Sequence, residues 1–117
     1  MTPVSQPVSQ KEPTLHSVGI QVNGTSVAYT TPVKPDASTI NVRRGDHVKW
    51  NCDHGNFTVL FEGDSPFADA EIHGHRTAGT ALSTVIGKKG SYKYVVTVAR
   101  ADGEPIVDDP EIIIDGD

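Results

Sequence analysis

Cysteine, methionine and tryptophan each occur once in the 117 residues, as Cys52, Met1 and Trp50. A lone cysteine excludes an intrachain disulfide, so the core itself must supply the stability. No apolar run is long enough to cross a membrane as a helix. Positive charge is the scarcer sign, with 10 Lys and Arg against 15 Asp and Glu and a net charge of −5. That balance argues against a general nucleic-acid binder, which presents a basic face. No charged-then-apolar signal peptide stands at Met1–Gln10. The expectation is a periplasmic or secreted location if a signal was removed, and a cytoplasmic one otherwise.

Catalytic motifs are missing too. There is no Gly-x-Ser-x-Gly elbow and no Gly-rich phosphate loop between a strand and a helix. No nucleophilic triad or carboxylate pair for glycoside chemistry can be assigned. The acidic residues near the end, from Asp102 to Asp117, lack the spacing of an EF-hand loop. They fit a solvated face better than a calcium site. No pattern supports a helix longer than two turns. The expectation is a protein that is not an enzyme.

What is present is alternation. Ile40 and Val42 alternate with polar neighbours, as do Val48 and Trp50, and Gly45-Asp46 is a turn signal between the two runs. Asn51–Asn56 is polar and Gly-bearing and forms the next turn. Phe57, Val59 and Phe61 then alternate, with Leu60 blurring the pattern. Tyr92, Tyr94, Val96 and Val98 repeat it after Gly90, with Val95 as the exception. Period-2 spacing puts each set on one face of a strand. Cys52 shares the parity of Trp50 and belongs in the core, where a free cysteine behaves as a small hydrophobe. Earlier, Leu15, Val18, Ile20 and Val22 lead into the hairpin signal Asn23-Gly24, with Ser26–Thr31 as partner strand. Thr80–Ile86 and Glu111–Ile114 read as further strands, the latter buried on both faces or paired at an edge. Arg43-Arg44 and Lys88-Lys89 flank Gly45 and Gly90, as charged hairpin tips do.

The ordered set Ile-x-Val-x-x-Gly-Asp-x-Val-x-Trp (40–50), Thr-Val-x-Phe (58–61) and Gly-x-Tyr-x-Tyr (90–94) resembles the cupredoxin family, the fold of plastocyanin and azurin. The resemblance covers about Thr39 to Ile114 and implies an all-β Greek-key β-sandwich. It also implies positions for copper. The family's first His falls on Phe57, its Cys on Val96 and its second His near Ala99. No His or Met follows Val96. A blue-copper centre needs a thiolate and two imidazoles, which Phe, Val and Ala cannot supply. The resemblance therefore carries the fold and no electron-transfer role, with Phe57 and Val96 expected as packing in the copper site.

In domain terms, residues 1–14 read as a disordered or extended tail, with Pro-Val-Ser-Gln repeated at 3–6 and 7–10. Residues 15–117 form a single β-sandwich domain. The expected function is non-enzymatic binding through loops 51–56 and 62–79, with a protein or small-ligand partner. Within the second loop, Ser65–Glu71 carries the signals of one short helical turn, Ser65 as N-cap and Pro66 after it. The alternative is a copper or zinc protein. His73 and His75 at i, i+2 point the same way on an extended chain, and His54 and Cys52 lie in another turn. Exposed loop histidines beside a flexible glycine account for His73-Gly74-His75 without any metal.

Overall fold

The structure is a computed structural model and describes residues 13–101 and 103–116. Eleven strands run in order: β1 Leu15–Asn23, β2 Ser26–Thr30, β3 Thr39–Arg43, β4 His47–Cys52, β5 Phe57–Leu60, β6 Glu71–Gly74, β7 Ser83–Thr84, β8 Gly90–Lys93, β9 Val95–Val98, β10 Ile106–Asp108 and β11 Glu111–Gly116. There is no helix among the described residues.

They form two layers. The first sheet has the order β2-β1-β4-β7, with β1 parallel to β4. The second consists of two pieces, β10-β9-β5-β6 and β3-β11-β8. These pieces are one sheet interrupted at one place. The pairing of Asp108 with Val96 and of Glu111 with Lys93 keeps a single register across the break. Tyr94 N–H donates to Pro110 O at 3.0 Å in between. Pro110 has no N–H to return, so the ladder is cut there. Neighbours distant in sequence and crossings between layers make this a Greek-key sandwich.

The alternation in the sequence predicts the inward faces well. Ile40, Val42, Val48, Trp50, Cys52, Phe57, Val59, Phe61, Tyr94, Val96 and Val98 are all buried. The predicted hairpin closes at Gly24, whose φ of +64° is left-handed and suits glycine.

Four local expectations are corrected. Ser65–Ala70 bends without a helical turn, and Glu71 already belongs to β6. Ser65 Oγ donates to Asp69 O and accepts from Phe67 N. Pro66 O is taken by Ile86 N and Gly87 N from another segment, so it is not free to start a helix. The strand expected at 80–86 shrinks to Ser83–Thr84. Thr80 instead turns its hydroxyl onto Trp50 N, at 3.0 Å. The last strand is no edge, since β11 pairs with β3 on one side and β8 on the other.

The fourth correction concerns 62–79, which is not one loop. The strand β6 crosses it, with Gly74 opposite Phe57 and Glu71 opposite Leu60. Its two flanks therefore lie at opposite ends of the β5–β6 pair, roughly 10 Å apart by strand rise. The first flank folds under the core, placing Phe67 edge-on to Trp50 and Phe61 with centroids 5.7 Å away in each case. Of the expected tail, residues 1–12 lie outside the described residues. Thr14 is hydrogen-bonded to the turn before β4, through Asp46 and His47.

Candidate functional site

At one end of the sandwich the turn after β4 meets the segment after β6. Asn56 joins them, because its Oδ1 accepts from Arg76 N at 2.9 Å and its main-chain oxygen from Ala99 N at 2.8 Å. Approach is close enough that a Cβ on Gly55 would come within 2.6 Å of Ala99 O. On the other flank, His75 and Gly79 exchange hydrogen bonds at 3.1 and 2.7 Å, and Thr80 N donates to Trp50 O. A shallow surface depression of about 270 Å³ opens here, lined by Asn56, Thr58, His73, His75, Thr97 and Ala99 among others.

Phe57 sits beneath this surface. It is buried and pairs across the sheet with Gly74 and Val98. A Cβ on Gly74 would fall 2.2 Å from the ring's Cζ, so the ring lies directly over that glycine. Val96 has no exposed surface, and Ala99 is exposed. The three positions that the resemblance assigns to copper ligands are thus an aromatic ring, a buried aliphatic and a surface methyl.

The four expected metal ligands are placed differently from one another. His73 and His75 are both exposed, on either side of buried Gly74. His73 Nε2 lies 3.1 Å from Glu71 Oε2, and its Nδ1 lies 3.4 Å from Thr58 Oγ1. His54 is exposed in its turn. Cys52 is buried and faces the core, beside Ile20 of β1. No group of three His, Cys, Asp or Glu side chains forms among the described residues. The turn and the loop do meet, as their sequence positions in the resemblance imply, but the side chain that joins them is Asn56. Nothing in the sequence distinguishes Asn56 from any other turn asparagine.

The polar interior is small. Trp50 Nε1 donates to Tyr94 Oη at 3.2 Å, and burial pushes the Tyr94 phenol above its ordinary range. Tyr29 is buried, and its hydroxyl interacts with the side chain of Asp108. Burial, and then the nearby Asp108 carboxylate, push its phenol up. Asp46 is a buried carboxylate at the opposite end. Burial raises its pKa, but hydrogen bonds from His16, Thr14 N and Arg43 N outweigh that and hold it below the usual range.

Neither a protein-family model nor a curated protein matches the chain. Among solved structures, a chain from the cryo-EM structure of a heme-copper terminal oxidase dimer is similar, with a TM-score of 0.56 at 14% identity. The match covers 97% of this chain and 78% of that one. At that identity the likeness is one of fold. The fold is accordingly an all-β Greek-key sandwich of the cupredoxin-like class.

Proposed function

We propose that this chain is a non-enzymatic binding module on a cupredoxin-like scaffold that has lost blue-copper electron transfer. One observation supports this above the others: Phe57 and Val96, at the positions of copper ligands in the resembled family, are packed core. A site built from them has no lone pairs to offer. Function lives in the site and is not carried by the fold alone. Binding is then assigned to the end where Asn51–Asn56 meets residues 75–79, with a protein or small-ligand partner. Residues 62–70 belong to the other end and to the core, and β6 joins the two ends.

The test is titration of the full chain with copper and zinc, followed by visible absorption and bound-metal content. The expected result is no intense thiolate–copper band. An intense blue band would overturn the reading.

A second reading rests on the exposed pair His73 and His75 sharing one metal ion of a non-blue type, for which His73 would give up its contact with Glu71 or Thr58. His54 is the nearest further imidazole in sequence, and Cys52 contributes only if it leaves the core. Stoichiometric copper or zinc binding that is lost on His73→Ala with His75→Ala supports this second reading, and unchanged binding removes it.

A further inference from the structure

One strand of the second sheet, β8 continued as β9, has neighbours on both sides for only half of its length. β9 is flanked by β10 and β5, but β5 ends at Leu60, opposite Val95. Beyond that point β8 pairs with β11 alone, and no strand lies on its other side among the described residues. Antiparallel pairs alternate between hydrogen-bonded and non-hydrogen-bonded positions. Tyr94 N–H points to Pro110 O, so Tyr92 also faces β11. The N–H and C=O groups of Ser91 and Lys93 therefore point the other way, to the open side.

That open side is a groove. It measures about 530 Å³ and runs between Glu62–Asp64 on one wall and Lys88–Lys93 on the other. A second depression of about 470 Å³ adjoins it, sharing Asp64, Lys88 and Tyr92 and adding Arg44, Phe67 and Ile86. Ile86 is 51% exposed, and Tyr92 is half-buried, its hydroxyl donating to Lys88 O at 2.5 Å. Lys93 is occupied by Asp109. Lys88, Lys89 and Arg44 make no ion pair among the described residues. On a chain of net charge −5, Lys88 and Lys89 line the open edge of β8 and Arg44 lines the depression beside it.

We propose that β8 is a docking edge for an extended segment of a partner protein, acidic at alternate positions with an apolar residue between. Exposed edges take such segments by adding a strand: main-chain bonds supply affinity and alternate side chains supply specificity. Here Ser91 and Lys93 supply the main-chain partners. Carboxylates are directed to Lys88 and Lys89, because Glu62 and Asp64 repel them from the far wall. The intervening apolar side chain fills the depression beside Tyr92, Phe67 and Ile86. This surface goes beyond the binding end assigned above, since β8 occupies the half of the sheet away from Asn56.

The probe is a capped Glu-Val-Glu-Val-Glu-Val peptide, added to the full chain labelled for amide NMR, with the Lys-for-Glu peptide as control. The acidic peptide is expected to shift the Ser91 and Lys93 amides and slow their hydrogen exchange. The double variant Lys88→Glu with Lys89→Glu, whose side chains are exposed, is expected to weaken that binding at least tenfold with an unchanged thermal midpoint. Equal binding of the Lys peptide, equal binding by the double variant, or no change at Ser91 and Lys93 overturns the proposal. So does protection of those amides before any peptide is added. Protection that grows with protein concentration means a second copy holds the edge, and protection independent of concentration means another part of the same chain does.

Discussion

Trp50 Nε1 donates to Tyr94 Oη across the core at 3.2 Å, linking β4 of one layer to the break between β8 and β9 in the other. The rings also meet edge-on, with centroids 5.7 Å apart. This hydrogen bond joins two fully buried aromatics at the place where the second sheet is cut. Tyr94→Phe leaves the indole N–H buried without a partner. The expected loss is roughly 1–3 kcal/mol, measured as a lower urea midpoint with an unchanged slope. A variant as stable as the parent would mean that the indole finds another acceptor.

Gly74 is held small by Phe57. Its Cβ position is occupied by the ring, with three ring carbons between 2.2 and 2.6 Å. Gly74→Ala is expected to cost roughly 1–3 kcal/mol by overpacking. Combining it with Phe57→Leu should recover part of that loss, because the two changes share one space and their effects do not add. Strictly additive denaturation midpoints would show that the contact is not what constrains position 74.

Asp46 gives a pH signature. Its carboxyl titrates below the unfolded value of about 3.9, so near that pH the unfolded chain binds more protons than the folded one. Stability from this group is therefore complete above the unfolded pKa and is lost as pH falls through the lower folded pKa. Asp46→Asn is expected to lower stability by roughly 1–3 kcal/mol at pH 7 and to flatten the decline below about pH 4. Parallel stability–pH curves for parent and variant would remove Asp46 as the cause.

The proposed correspondence with copper-ligand positions can be tested by restoring the ligands. Phe57→His, Val96→Cys and Ala99→His together place one thiolate and two imidazoles at one end of the sandwich. With copper(II), a folded triple variant is expected to gain an intense visible thiolate–copper band that the parent lacks. A colourless but folded and copper-loaded variant would show that these positions do not converge.

Much of the sandwich was legible because burial has period 2 along a strand. Val48, Trp50 and Cys52, and Phe57, Val59 and Phe61, declare their face without reference to any partner. The Asn23-Gly24 turn is equally local, since only a left-handed glycine closes it. The segment 62–79 was not legible. Glu71–Gly74 is a strand because β5 pairs with it, and its four residues carry too little alternation to announce that. The Ser65-Pro66 helix start is overridden in the same way, by Ile86 and Gly87 taking Pro66 O. Asn56 and the unpaired side of β8 are likewise products of packing.

The residues alone pointed to an all-β chain and its inward faces, and the resemblance to cupredoxins added the two-layer Greek-key sandwich. The strands and their faces follow from side-chain chemistry and strand periodicity, which act over a few residues. Packing of distant segments is what brings His73 and His75 beside Asn56, makes Glu71–Gly74 a strand and leaves one side of β8 open. Each of those depends on which distant segments meet: β5 stops at Leu60 opposite Val95, so among the described residues no strand continues along that side of β8.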